Sequence, residues 1–130
     1  MRYLLDTNSV IAVLGKRPGI SRRVHSHPSQ DFGLSVIVSH ELHFGAFRSR
    51  WSATNLRAIE DLRFEPVELD TEDARLAASI RAELAARGTP IGGYDLFIAA
   101  QARSRDLVLI TRNVADFSRV PDLRWENWES

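Results

Sequence analysis

The segment Arg2-Tyr3-Leu4-Leu5-Asp6-Thr7-Asn8-Ser9 is a short apolar run that stops at an acid. Tyr3, Leu4 and Leu5 read as a buried strand. Thr7, Asn8 and Ser9 suit a helix start, and Val10-Ile11-Ala12-Val13-Leu14 carries that helix to Gly15. Asp6 therefore sits at the carboxyl end of the first strand of a strand–turn–helix. In open α/β sheets that edge is where ligands bind.

The rest of the chain repeats this alternation. Ile20 to His25 is read as a short helix that stops before Pro28. Phe32 to Val38 is β-rich and is read as strand two. Ser39 is then taken as an N-cap, with Glu41 in the first turn of the helix it opens, and Ser52 as the cap of a helix over about 53–62. Phe64 to Leu69 is read as an edge strand because it contains Pro66. Asp70 caps a helix over Thr71 to Arg87, ended by Gly88, with Leu76, Ile80 and Leu84 as its apolar stripe and Glu83 and Arg87 as a supporting pair. Gly92-Gly93-Tyr94-Asp95 leads into Leu96 to Ala102, apolar nearly all round and hence a buried helix. Leu107 to Ile110 is a second fully apolar strand, followed by Thr111-Arg112-Asn113 and a helical turn with Asp116 and Phe117. Leu123 to Trp125 is a last edge strand. The order β-α-(α)-β-α-α-β-α-α-β-α-β implies a parallel sheet with helices on both faces.

The 130 residues suit one domain over 1–130. Apolar content of 44% and charged content of 26% are those of a folded globular chain. No cysteine is present, which excludes disulfides, thiolate ligands and cysteine nucleophiles. No signal-peptide pattern opens the chain, and no apolar run approaches the roughly 18 residues of a membrane span; a cytoplasmic protein with no membrane partner is expected. Net charge is formally zero. The cations, all Arg except Lys16, still gather in patches such as Arg48, Arg50 and Arg57. Arg suits phosphate contacts, although a GC-rich genome explains the bias equally well.

Four places put an acid or amide just beyond a strand or at a helix start: Asp6, Glu41, Asp95 and the Asn113–Asp116 segment. Each alone is explained by helix capping, and Asp70 and Asp73 are assigned no more than that. Asp61 and Asp106 read as solvated. Half-buried carboxylates placed together repel and raise one another's pKa, a cost that a cation removes. Oxygen-only donors point to a hard divalent ion, Mg²⁺ or Mn²⁺. Such an ion supports attack of water on a phosphodiester. Walker, nucleophile-elbow and dinucleotide motifs are absent. His25, His27, His40 and His43 make no zinc set, and Trp51, Trp125 and Trp128 are assigned to packing.

At this point the chain resembles a PIN-domain protein, and most of all a VapC-type toxin of a bacterial toxin–antitoxin pair. The resemblance is carried by Leu4-Leu5-Asp6-Thr7-Asn8, Ser39-His40-Glu41-Leu42, the stretch from Ile91 through Asp95 to Ala100, and the stretch from Leu109 through Asn113 to Phe117. It implies a three-layer α/β/α sandwich around a mostly parallel sheet. It also implies a Mg²⁺- or Mn²⁺-dependent endoribonuclease acting on structured RNA, transfer or ribosomal. A homodimer is implied as well, neutralised by a cognate VapB-type antitoxin through which alone operator DNA is bound. Position by position, Asp6, Glu41 and Asp95 match the three acids of the family site; Asp6 and Asp95 would hold the metal, and Glu41 would complete the shell or orient the attacking water. Where the family often has a fourth acid this chain has Asn113, with Asp116 one turn beyond. Thr7 and Thr111 would position ligands or substrate, and Arg residues near the groove, Arg112 among them, would steer the RNA backbone. Two other readings compete. A Mg²⁺-dependent phosphatase is disfavoured because Asn8 stands where its second acid belongs and Lys16 is badly placed. A PIN-like partner of a DNA-binding antitoxin, with little nuclease activity, is kept open by Asn113.

Overall fold

The computed structural model describes residues 1–129; Ser130, the last position of the expected domain, lies outside them. The expected alternation is observed. In chain order the elements are β1 (Tyr3–Leu5), α1 (Thr7–Leu14), α2 (Pro18–His25), a 3₁₀ turn (Ser29–Asp31), β2 (Phe32–Ser35), α3 (Val36–Arg48), α4 (Ser52–Asp61), β3 (Glu65–Val67), α5 (Thr71–Ala86), α6 (Gly93–Ser104), β4 (Val108–Ile110), α7 (Val114–Phe117) and β5 (Trp125–Glu126). The five strands form one parallel sheet in the order β3-β2-β1-β4-β5, between helical layers. Successive strands step from β1 to β2 to β3 on one side, then restart at β4 on the other side of β1. The ends of β1 and β4 thus flank a topological switch point, where a parallel sheet leaves a crevice. Asp6 and Thr111 are the residues that follow these two strands, and the Asp6 amide donates to the Ile110 carbonyl at 3.1 Å.

The central strands are buried on both faces: Leu4, Leu5, Leu109 and Ile110 are fully enclosed, as expected for strands covered by crossover helices. Pro66 is tolerated because β3 is an edge strand, paired only with β2. Gly33 of β2 has no room for a side chain, since a Cβ there would lie 2.7 Å from both Met1 Sδ and Val67 Cγ2. Gly88, at φ 72°, makes the left-handed turn that ends α5. The C-terminal segment folds back so that Trp128 is buried against Tyr3, His27 and Phe32. Among the described residues no helix is long and apolar enough to cross a membrane.

The structure corrects the sequence reading around strand two. β2 ends at Ser35, and Val36-Ile37-Val38 already belong to α3. Their β-branched side chains favour a strand only where packing does not decide otherwise. Here Val38, Leu42 and Ala46, four apart, are buried as one stripe, and burying Val38 and Leu42 contributes roughly 1.5–3 kcal/mol each. Ser35, not Ser39, is the cap, accepting from the Ile37 amide at 3.1 Å. Glu41 consequently lies in the second turn of α3. Ser39 is inside the helix, its hydroxyl 3.2 Å from His43 Nδ1. Trp51, not Ser52, occupies the cap position of α4 and makes no side-chain cap bond. Trp51 is also 63% exposed rather than packed.

Asp73 is more than a cap. It completes a reciprocal capping box with Asp70. It is also buried and grips Arg105 of the α6 C-terminus through both carboxylate oxygens, at 2.8 and 2.9 Å, while accepting from Ser104 at 2.7 Å. Burial alone would raise its pKa; the Arg105 hydrogen bonds, the Asp70 amide and Ser104 outweigh it and hold the carboxyl at about 2. Gln101 anchors the middle of α6. It accepts from Ser35 and donates to the carbonyls of Val67 and Glu68. α6 is therefore tied to the ends of β2 and β3 through Gln101 and to α5 through Ser104 and Arg105.

Candidate functional site

Asp6 is the N-cap of α1. Its Oδ1 accepts from the Ser9 amide at 2.9 Å, and its Oδ2 accepts from the Thr111 hydroxyl at 2.5 Å. Only 5% of the residue is exposed. Thr111 in turn accepts from the Asn113 amide at 2.9 Å, which fixes its hydroxyl hydrogen toward Asp6. Both carboxylate oxygens are thus held, and the Asp6 side chain has one orientation.

Glu41 reaches the same edge from α3. The Thr7 hydroxyl, one residue after Asp6, donates to Glu41 Oε1 at 2.6 Å. Asp95 comes from the first turn of α6, whose cap position is Gly92 and carries no side-chain cap. The exposed Gly92 and Gly93 let the chain enter that helix without covering the acid. Asp116 joins from α7, its Oδ2 accepting from Asn113 Nδ2 at 3.0 Å and its Oδ1 lying 3.4 Å from the Arg119 guanidinium.

These residues share one electrostatic environment. The Asp95 carboxyl is pushed from its ordinary 3.8 up to about 6, first by burial and then by the negative charges of Asp6, Asp116 and Glu41. The other three acids named from the sequence all contribute to this one shift. Among the described residues Asp6, Glu41 and Asp95 take part in no ion pair. A half-buried cluster of carboxylates without a compensating cation is a donor set matched to a hard divalent ion. No group of three or more acids or histidines among the described residues stands at metal-holding spacing. Mg²⁺ does not require one, because it takes one or two carboxylates and fills its octahedron with water and phosphate oxygens.

Thr7 and Thr111 prove to hold acids, as hydroxyl donors to Glu41 and Asp6. Arg112 is not drawn into the cluster; it is exposed, and its Nε lies 3.8 Å from Glu129. Asn113 faces Asp116, so its amide supplies a donor where an acid would have added a charge. The sequence reading missed three contributors: the Ser9 amide on Asp6, Gln101 as the anchor of α6, and Tyr94, which meets His40 across the gap between α3 and α6. The Ser9 amide was within reach of the sequence, since an Asp three residues before a donor is a cap pattern.

Comparison with known proteins agrees with this fold. The PIN domain model matches residues 3–123. The chain is 38% identical over 130 residues to the tRNA(fMet)-specific endonuclease VapC of Salmonella typhimurium, covering 98% of both chains. It is 39% identical over 133 residues to the ribonuclease VapC2 of Haemophilus influenzae, again covering 98% of each. Among solved structures, a chain of the DNA-bound VapBC complex of Salmonella typhimurium superposes with a TM-score of 0.91 at 39% identity, with 98% of each chain covered. A parallel five-stranded sheet with acids at its switch point and full-length similarity to VapC proteins lead to one assignment: the chain belongs to the PIN-domain family, in its VapC group.

Proposed function

We propose that this chain is a VapC-type toxin: an endoribonuclease, dependent on Mg²⁺ or Mn²⁺, that cleaves structured RNA and is neutralised by a VapB-type antitoxin. The observation that carries the reading is the convergence of Asp6, Glu41, Asp95 and Asp116 on one crevice, expressed in the raised pKa of Asp95. Similarity to proteins named as ribonucleases and as a tRNA endonuclease supports the reaction class. The VapBC complex among the neighbours supports a VapB partner, with operator DNA bound through it. A homodimer follows from the family resemblance.

Asp6 and Asp95 would hold the ion, with Glu41 beside them. Once bound, a hard divalent cation supplies charge stabilisation at the phosphoryl oxygens and acidifies a water. The protein's own part is positional. Thr111 and the Ser9 amide keep Asp6 in one rotamer, so little reorganisation accompanies loading of the site. Thr7 leaves one Glu41 oxygen committed and the other free to accept a hydrogen bond from the attacking water. Asp95, its carboxyl raised to about 6 by burial and by the neighbouring acids, would be relieved of that repulsion by a cation. Asn113 donates to Asp116 of α7, whose negative charge bears on Asp95.

Induced expression, with RNA ends mapped in the cells, tests this reading. New ends at defined positions of a transfer or ribosomal RNA, absent on expression of Asp95→Asn, are expected. The phosphatase reading gains nothing from the structure, because Lys16 follows the C-terminal end of α1 whereas Asp6 caps its N-terminal end.

A further inference from the structure

The outward face of α3 carries side chains used neither by the core nor by the acids. His40, Phe44 and Phe47 stand at i, i+4 and i+7 and share one stripe. Phe44 is 55% and Phe47 68% exposed. The stripe runs into the site. His40 meets Tyr94 of α6 edge to face, with ring centroids 5.9 Å apart and Tyr94 Oη 3.4 Å from His40 Nε2. Tyr94 is itself 49% exposed. His40 and Tyr94 each immediately precede an acid of the crevice, Glu41 and Asp95, so the pair forms a rim beside the carboxylates.

Cations accompany the rings. The Arg48 guanidinium lies 5.1 Å from the Phe44 centroid, and that of Arg50 lies 5.3 Å from Trp51. Among the described residues neither arginine is paired with an acid. Exposed aromatic faces interleaved with unneutralised guanidinium groups suit a polyanion that also offers π faces, which is a single-stranded nucleic acid. An apolar protein segment would use the rings and leave the arginine charges unanswered.

We propose that His40, Phe44, Phe47 and Tyr94 form a stacking platform for unpaired bases next to the scissile phosphate, with Arg48 on the adjoining backbone. The inference rests on the RNA-cleaving reading, whose expected targets are RNA loops, and adds which side chains receive the unpaired bases, whose faces are free in loops and single strands and covered in duplex.

The test is fluorescence anisotropy in EDTA, where binding is read without cleavage. The probes are a fluorescein-labelled single-stranded oligouridylate and an RNA duplex of equal length. Wild type should bind the single strand more tightly than the duplex. The Phe44→Ala/Tyr94→Ala double variant should lose about ten-fold or more for the single strand, while Tyr94→Phe stays within about two-fold of wild type, since base stacking on one ring is worth at least roughly that factor. Arg48→Gln should weaken binding and flatten its salt dependence. All of these positions are exposed, and Phe47→Ala, at the most exposed ring, repeats the test independently of the double variant. Wild-type affinity in the double variant and in Phe47→Ala overturns the proposal. So does retained RNA affinity with an altered molar mass in sedimentation or lost capture of the antitoxin, which would assign this face to a protein partner. Binding through the platform without any Mg²⁺-dependent cleavage would overturn the nuclease reading and leave the platform standing.

Discussion

The Thr111 hydroxyl donates to Asp6 Oδ2 at 2.5 Å, joining the ends of β4 and β1 across 105 positions of sequence. The Thr111 hydroxyl oxygen in turn accepts from the Asn113 amide, so that hydroxyl is committed on both sides. Thr111→Val keeps the shape and removes the hydroxyl, leaving Asp6 held through Oδ1 alone and the half-buried Asn113 amide unpaired. A ten- to hundred-fold rise in the Mg²⁺ concentration needed for half-maximal cleavage is expected, which is about the usual cost of removing a group that orients a metal ligand. Cleavage rate against Mg²⁺ concentration measures it; an unchanged midpoint would show that the bond is only structural.

Asp95 sets a pH dependence of stability. Its carboxyl is raised from 3.8 to about 6 by burial and then by Asp6, Asp116 and Glu41. Between those values the folded chain holds a proton that the unfolded chain has released, so this group's contribution to stability falls as pH rises through the window and the penalty is complete above pH 6. In EDTA at pH 7, Asp95→Asn should be more stable than wild type by up to roughly 3 kcal/mol, the shift converted at about 1.4 kcal/mol per unit, and solvent access to the half-buried group will reduce this. The gap should narrow at pH 5 and close near pH 4. Urea denaturation at the three pH values reads it, and a gap independent of pH would contradict the assignment of the penalty to this carboxyl.

Asn113 donates to Asp116 at 3.0 Å. Asn113→Asp replaces that donor with a like charge and adds a further acid to the crevice. Without divalent ion the variant should lose about 1 kcal/mol, the scale of one hydrogen bond exchanged for repulsion. With Mn²⁺ it should recover more in melting temperature than wild type does, because an added carboxylate strengthens ion binding. Paired thermal melts with EDTA and with Mn²⁺ measure both effects, and a variant insensitive to Mn²⁺ would remove Asn113 from the site.

Arg105 neutralises buried Asp73 from two sides. Arg105→Gln strands that charge and should cost roughly 2–4 kcal/mol, somewhat below a fully enclosed pair because the Arg105 side chain is 28% exposed. The stabilisation belongs to the ionised carboxyl. It is present above pH 3.8 and is lost as pH falls toward about 2. The wild-type advantage over Arg105→Gln should therefore shrink under acid, which denaturation at pH 7 and pH 3 will show.

The alternation of short apolar strands with helices was legible because β1 and β4 end abruptly in polar residues and because Asp70 and Gly88 punctuate α5. The start of α3 was not. Val36-Ile37-Val38 has the composition of a strand, and only burial of Val38, Leu42 and Ala46 against the rest of the chain turns it into a helix. That error moved Glu41 by a turn without removing it from the crevice, since Thr7 sets its orientation. Asp6, Asp95 and Asp116 could be named from the sequence because each follows a strand or lies in the first turn of a helix; Glu41 was named on the reading of Ser39 as a cap, which the structure corrects. What holds them could not, because Thr111 to Asp6, Gln101 to Ser35 and Arg105 to Asp73 join residues far apart in the chain, and no local pattern encodes such pairings. Arg112 shows the converse: placed beside Asn113 in sequence, it turns toward Glu129 instead.

Cleavage of transfer RNA by the purified, antitoxin-free protein is the most direct measurement, run with EDTA and with Mg²⁺ for wild type and for Asp95→Asn. If Asp6, Glu41 and Asp95 form an ion-dependent hydrolytic site, wild type cuts only when Mg²⁺ is present and Asp95→Asn loses at least about a hundred-fold in rate, within the range for removing a group that acts on the transition state. Cutting in EDTA, or cutting by Asp95→Asn at the wild-type rate, would contradict it.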